Sequence, residues 1–376
     1  MNKFQDFNLK QFLVENLKSQ GIDKPTPIQD MTIPIIMEGS DVLAEAQTGT
    51  GKTLAFLLPI FQNLDSESPH VQALIVTPTR ELAIQITSEA KKLAANTDIT
   101  ILPVFGGQDI NAQLKKLNGK VDIVVATPGR LLDHIRRETV DISHLSTLVL
   151  DEADQMLYIG FRNEVEMILK STNKDKQTLC FSATLDSKVK KLAYKFMKDP
   201  LEMRAPSQNV TLDTIEQRIV RVSDRWKQEA LFAELDSTNP FLAIIFCRTK
   251  RRVDKLEEAM SQKKYLCNKL HGGMTQSARQ KVMKSFREAR IQYLVATDVA
   301  ARGLDISGVS HIYNFDVPEE SETYIHRIGR TGRMGDDGVA ITFVAPKDEA
   351  MVSEIEKKIG LKIPSSEYSR STKDKK

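Results

Sequence analysis

Two short segments carry residue types that could perform phosphate chemistry. The first reads Ala46-Gln47-Thr48-Gly49-Thr50-Gly51-Lys52-Thr53. Gly49 and Gly51 let backbone N–H groups turn toward an anion with no Cβ in the way. A helix opening behind them adds its dipole. Lys52 would reach the β- and γ-phosphates of a nucleotide, and the Thr53 hydroxyl would ligate Mg²⁺. The segment departs from G-x-x-x-x-G-K-[ST] in having Ala46 at its first position. A Gly-rich turn with an incidental lysine is the plain alternative. The second segment, Asp151-Glu152-Ala153-Asp154, follows the apolar run Leu148-Val149-Leu150. Such a run places its acids at the carboxyl edge of a sheet, where open α/β sheets bind ligands. Asp151 would hold Mg²⁺ through water, because magnesium keeps much of its hydration. Glu152 would orient and polarise an attacking water. A helix-capping acid would look the same in isolation. One nucleotide-hydrolysing site explains both segments together.

Strands ending at a common edge are needed to bring these groups together. Short, β-branched, almost wholly apolar runs occur at Asp41–Ala44, Ala73–Val76, Ile101–Phe105, Val121–Ala126, Thr147–Leu150 and Thr178–Phe181. They read as strands buried on both faces of a parallel sheet. Glu81–Ala94 and Arg162–Lys170 show helical spacing between them. The second half repeats the pattern, with strands expected at Phe241–Phe246, Leu266–Leu270, Gln292–Ala296, Val309–Phe315 and Gly338–Val344. Helices are expected at Val253–Gln262 and Ser277–Glu288, and Thr211–Val222 alternates as an entering strand. The fold class is therefore α/β. The polar and basic stretch Ser365–Lys376 is expected to fray.

The chain has 376 residues, more than one core usually organises, so two domains are expected. Fifty-three Lys+Arg against fifty Asp+Glu leave a net charge of +3, which excludes a uniformly basic coat but leaves room for a local basic groove. Cys180, Cys247 and Cys267 make no C-x-x-C and read as reduced thiols of a cytoplasmic protein. The six histidines form no Cys/His cluster in sequence, so no zinc site is expected. No apolar run approaches the roughly 18–20 residues that span a bilayer, and Met1–Glu15 lacks a signal-peptide core.

Asp151–Asp154 spell D-E-A-D, and from Phe4 to Arg333 the chain resembles, motif by motif and in order, a DEAD-box ATP-dependent RNA helicase of superfamily 2, of the compact bacterial type. Gly21-Ile22-Asp23-Lys24-Pro25-Thr26-Pro27-Ile28-Gln29 matches the family's Q motif, with Ile22 where an aromatic is more frequent. The resemblance implies that Gln29 bonds the adenine edge and that Phe4 packs on the base. It assigns Ala46, Gln47, Thr48, Gly49, Thr50, Gly51, Lys52 and Thr53 to the nucleotide phosphates. Gly303 and Asp305 would approach the nucleotide from the second half. Arg330 and Arg333 would act as arginine fingers, a role suited to a delocalised, always-charged guanidinium. Asp154, Ser182, Thr184 and His326 would couple nucleotide state to RNA separation, the two hydroxyls bonding the Asp154 carboxylate and the histidine. The RNA backbone would be met by Pro78, Thr79 and Arg80, by Gly106 and Gly107, and by Thr127, Pro128, Gly129 and Arg130. In the second half it would be met by Arg248, Gly272, Gln276, Arg279 and Thr297.

The same resemblance implies two tandem RecA-like domains, each a mostly parallel sheet with helices on both faces. Their expected limits are 1–205, with the Q motif at 2–30, and 215–366, joined by a linker at 206–214 and followed by a short basic tail at 367–376. ATP and Mg²⁺ are the implied cofactors and RNA the partner, contacted mainly through sugar–phosphate. The expected activity is RNA-stimulated ATP hydrolysis coupled to domain closure and local, non-sequence-specific unwinding or ribonucleoprotein remodelling. Ribosome assembly or RNA turnover is the implied setting. A monomer suffices, and no membrane contact is expected. Two rivals share the motifs: a DNA helicase on the same paired domains, and an ATP-gated RNA clamp.

Overall fold

The computed structural model describes residues 3–47, 49–107, 110, 113, 117, 119–205, 215–301, 308–332 and 337–369. The chain divides into two compact units, Met1–Ser207 and Gln208–Lys376. In the first, the strands are β1 (Val42–Glu45), β2 (Ala73–Val76), β3 (Ile101–Val104), β4 (Ile123–Ala126), β5 (Thr147–Asp151), β6 (Gln177–Ser182) and β7 (Leu201–Arg204). They form one parallel sheet in the order β3-β4-β2-β5-β6-β1-β7. In the second unit, β8 (Ile215–Arg221), β9 (Ala243–Phe246), β10 (Cys267–Leu270), β11 (Tyr293–Ala296), β12 (His311–Asn314), β13 (Gly338–Val344) and β14 (Ser365–Glu367) form a parallel sheet in the order β10-β11-β9-β12-β13-β8-β14. These are the α/β units that the strand pattern predicts and the tandem RecA-like folds that the resemblance implies.

The strands are apolar throughout because alternate side chains feed two cores. Ala44, Ile75, Val125, Val149 and Phe181 face one cluster, closed by Leu13, Ile33, Phe56 and Ile86 of the helices Gln11–Ser19, Pro27–Met37, Lys52–Asn63 and Arg80–Leu93. Leu43, Leu74, Val124, Leu150 and Cys180 face the other, closed by Leu132, Val165 and Leu192. The second unit repeats this, with Ile244, Leu294 and Ile312 on one face and Ile245, Val295 and Tyr313 on the other. Among the described residues no helix is long and apolar enough to cross a membrane.

Of the four edge strands, β3 and β10 were expected and β7 and β14 were not. β7 has a mostly exposed surface and carries no apolar run. β14 corrects the expectation of fraying from Ser365. Ile219 N–H donates to Pro364 O at 2.8 Å and Tyr368 N–H to Arg221 O at 2.9 Å, so backbone pairing to β8 orders a segment whose side chains are all exposed. The expected linker, 206–214, and the tail from 370 lie outside the described residues.

Candidate nucleotide and RNA site

In the first unit, the phosphate-loop, acidic and RNA-type segments leave the carboxyl ends of strands, whereas Phe4 and the Q-motif segment precede β1. β1 continues into the glycine-rich loop, with Ala46 N–H donating to Ser182 O at 2.9 Å before the chain turns away from the sheet. Thr50 Oγ1 donates to Gln47 O at 2.7 Å, and Gly49 and Gly51 take φ of 85° and 91°. Gly51 caps the helix that begins at Lys52. Lys52 is 6% exposed, and its Nζ makes no hydrogen bond among the described residues. A buried ammonium without an acceptor is costly, and it marks where an anion fits. Thr48 lies outside the described residues.

The Q-motif segment is tied to this loop. Thr26 N–H donates to Gln29 Oε1 and Gln29 Nε2–H donates to Gly51 O, both at 2.9 Å. The loop contact joins residues far apart in sequence, and nothing in the spacing of the motif announces it. Phe4 is 3% exposed and meets Phe7 edge-to-face at 6.2 Å between ring centroids. It also lines a cleft with Val14, Ile22 and Lys24.

β5 delivers the acids. Asp151 is buried, and burial raises its pKa, while the charge of Lys52 and the Glu152 N–H bond at 3.0 Å pull it back down. Glu152 is buried in a left-handed backbone conformation, φ 54°, at the cap of the helix Ala153–Ile159. Non-glycine residues occupy that region rarely, and strain of this kind gathers at functional sites. Asp154 is held to the end of β6. Its Oδ2 accepts from Thr184 N–H at 3.1 Å and Thr184 Oγ1 at 3.2 Å. The Ser182 hydroxyl accepts the Asp154 backbone N–H at 3.2 Å. Beside these acids, burial pushes the Cys180 thiol up to about 12, which suits an inert core cysteine.

The segments that the resemblance assigns to RNA leave the neighbouring strands. Thr79, after β2, caps the helix Arg80–Leu93 by accepting Leu82 N–H at 3.2 Å. The Arg80 guanidinium lies on Gly106-Gly107 after β3. A Cβ on Gly107 would stand 2.3 Å from Arg80 Nη1. Thr127 and Pro128, after β4, open the helix Pro128–Arg136, with Gly129 exposed in its first turn. Arg130 Nη1 donates to Gln113 Oε1 at 3.0 Å, which His134 Nε2 also approaches at 3.1 Å, while Gln113 Nε2 donates to Phe105 O at 3.1 Å. Gln113 thus joins two of these segments. Sequence reading missed it, because a lone glutamine in a polar stretch carries no signal. Burial, reinforced by the charge of Arg130, lowers the His134 pKa. Along the sheet edge, β3-β4-β2 thus carry one set of segments and β5-β6-β1 the other.

The second unit repeats this division. Arg248 follows β9, Gly272 follows β10 and Thr297 follows β11, the last being 9% exposed at the start of the helix Asp298–Ala301. Gln276 and Arg279 lie on the helix Gln276–Arg287. Both are buried, with Arg279 Nη1 donating to His271 O at 3.3 Å and the Gln276 amide making no hydrogen bond among the described residues. Arg248 is engaged within its own unit, its Nη2 donating to Val317 O at 3.1 Å. His326 belongs to the helix Ser321–Ile328, and Arg330 is 5% exposed, its Nε donating to His326 O at 3.2 Å. Arg327, unremarked in the sequence, fixes this segment. It pairs with Asp298 at 2.5 and 2.8 Å and donates to Asn314 Oδ1 at 3.1 Å and Asp316 O at 2.6 Å. Gly303, Asp305 and Arg333 lie outside the described residues. Elsewhere, folding stacks the rings of His70 and His144 at 3.9 Å, with the exposed Asp141 close by, a metal-type grouping that sequence spacing did not foreshadow.

Comparison with known proteins follows the same division. Residues 26–192 match the family model of the DEAD/DEAH box helicase, and residues 226–335 that of the helicase conserved C-terminal domain. The chain is 47% identical over 353 residues to the DEAD-box ATP-dependent RNA helicase CshA of Bacillus subtilis (strain 168), covering 94% of this chain and 72% of that protein. It is 48% identical over 356 residues to the ATP-dependent RNA helicase CshA of Listeria monocytogenes serovar 1/2a, covering 95% and 68%. Among solved structures it is similar to S. cerevisiae Dbp5 bound to RNA and ADP BeF3, with a TM-score of 0.90, 30% identity and coverage of 98% and 96%. It is also similar to Mss116p bound to ssRNA and AMP-PNP, with a TM-score of 0.89, 33% identity and coverage of 98% and 79%.

Proposed function

This chain belongs to the DEAD-box family of ATP-dependent RNA helicases, and from that premise we propose how its residues divide the work. The observation that carries the reading is the buried, acceptor-free Lys52 ammonium, near enough to the buried Asp151 carboxyl that its charge opposes the upward pKa shift that burial causes. Lys52 and the backbone N–H groups of residues 47–51, in the loop that Ala46 anchors to β6, bind the β- and γ-phosphates of ATP. The donor set of Thr53 hydroxyl and Asp151 carboxylate fits Mg²⁺, which when bound would neutralise charge building on the phosphates. Glu152 orients the attacking water and receives its proton. Gln29 reads adenine while its amide spans Thr26 and Gly51, so base recognition and loop shape are linked. Gly303 and Asp305 approach the nucleotide, Asp305 at the ribose, and Arg330 and Arg333 stabilise charge on the departing phosphoryl group.

Because these roles fall in both units, hydrolysis requires the units to close on each other, a constellation completed by conformational change. The segments after β3, β4 and β2, with those after β9, β10 and β11, hold the RNA sugar–phosphate without reading bases. ATP and RNA both favour the closed state, so each tightens binding of the other. Asp154, Ser182, Thr184 and His326 transmit nucleotide state to the RNA segments. Unwinding is local, one strand being held in a shape that a duplex cannot adopt. A monomer in the cytoplasm, acting on RNA in ribosome assembly or turnover, is the setting we propose. The three free thiols fit a reducing compartment.

The test is steady-state ATP hydrolysis with single-stranded RNA, with matched DNA and with no nucleic acid, for wild type and Glu152→Gln. RNA alone should stimulate, and the variant should lose at least about 100-fold in turnover, the scale of a positioned acid–base group. Equal stimulation by DNA would transfer the reading to a DNA-directed enzyme. Full activity in the variant would remove Glu152 from the chemistry.

A further inference from the structure

The two sheets share one strand order, so positions in one map onto the other. β8 stands sixth in its sheet, as β1 does. Each leads through a short loop to a helix whose first residue is a buried lysine, Lys52 or Lys227. β2 and β9 lead to Thr79 and Thr249, each accepting an N–H three residues on. The registers Val76↔Leu150 and Phe246↔Asn314 then place Phe315 where the first unit has Asp151.

At this counterpart of the nucleotide edge lies a cleft of about 400 Å³, lined by Arg225, Arg251, Arg252, Lys255, Leu256 and Phe315. Lys227 is occupied, donating to Asp348 Oδ2 at 3.1 Å and lying 3.6 Å from Asp224. Asp224, the acid of the cleft, is itself engaged by Lys347 and by Arg252 at 3.8 Å. Arg252 pairs with Asp316 at 3.0 Å and lies over the Phe315 ring at 5.0 Å. Arg225, Arg251 and Lys255 are exposed and enter no ion pair among the described residues. The helices Lys227–Thr238 and Lys250–Gln262 both begin beside the cleft, adding partial positive charge.

Arg251 and Lys255, with Arg225 whose guanidinium lies over the Trp226 ring at 4.8 Å, surround an apolar floor of Leu256 and Phe315 and suit a molecule with phosphate at one end and a flat apolar body at the other. The volume falls in the range of small-molecule pockets, about 300–1,000 Å³. With Phe315 in place of a metal-binding carboxylate, nothing here would activate water. We propose that this cleft binds a phosphorylated small molecule of nucleotide size and holds it without hydrolysis. This goes beyond the first-unit reading and is tested separately from it.

The test supplies the whole chain with one equivalent of ADP and Mg²⁺, enough for the first-unit site alone, and titrates GDP, and separately inorganic pyrophosphate, by calorimetry. One further equivalent of GDP should bind, more tightly than pyrophosphate. Affinity should fall at least ~10-fold in Arg251→Glu/Lys255→Glu, since each reversal turns attraction into repulsion. Both side chains are exposed, and an unchanged thermal unfolding profile of the variant verifies its fold. Lys52→Ala should leave the GDP signal intact. No further equivalent, equal binding of pyrophosphate, or undiminished binding in the double variant would overturn the proposal. So would loss of the signal in Lys52→Ala, which moves the ligand to the first unit, or displacement of GDP by a short single-stranded RNA, which gives the cleft to the RNA path.

Discussion

Gly51 is constrained twice. Its φ of 91° lies where a side chain costs about 1–2 kcal/mol, and a Cβ there would stand 2.4 Å from Gln29 Nε2. Gly51→Ala should therefore break the Gln29–Gly51 bond and reshape the phosphate loop together. We expect ATP affinity, measured by titration with a fluorescent analogue, to drop at least ~10-fold, while far-UV circular dichroism stays native. Unchanged affinity would mean that the loop tolerates the shift and that Gln29 does not position it. The phosphate-type residues were legible in the sequence because phosphate chemistry dictates their kinds: small at 49 and 51, cationic at 52, hydroxyl at 53, acidic at 151. Their fastening was not. Gln29 meets Gly51, and Gln113 meets Arg130 and His134, across gaps that no local spacing encodes. The left-handed backbone of Glu152 has no sequence mark either.

At the scale of elements, parallel strands announce themselves because both faces must be apolar, and Ile75, Val149 and Ile245 belong to runs with no polar interruption. β7 and β14 stand at sheet edges and bury no side chain, so backbone pairing suffices there and side-chain pattern is silent. Arg327 is the analogous case among helices. Its 2%-exposed guanidinium pins Ser321–Ile328 to Asp298 and to the end of β12. Arg327→Ala leaves the Asp298 carboxylate without that partner and should cost about 3–5 kcal/mol. In urea unfolding of the whole chain, followed by intrinsic fluorescence of Trp226 in the second unit, the midpoint should fall. Arg327→Lys should recover only part of the loss, because an ammonium cannot reproduce the fork. An unshifted midpoint in Arg327→Ala would show the pair to be ornamental.

For the whole molecule, a net charge of +3 leaves no general attraction for RNA, so affinity must come from local sets of cations and N–H groups. Binding of a single strand should weaken linearly in log–log terms with salt, at a slope of about −0.7 for each phosphate neutralised. A filter-binding series across salt concentrations gives that number, and a flat series would contradict backbone recognition. The fold class was readable at this scale because the same pattern occurs twice. The likeness of the two sheets has a further consequence. A duplicated architecture invites the image of a two-cylinder engine, yet Phe315 stands where its twin has Asp151. On our reading only one cylinder can fire. Each closure that we propose then consumes at most one nucleotide, because the second unit has no carboxylate at the position of Asp151. The silent copy is free to evolve as a sensor or a throttle.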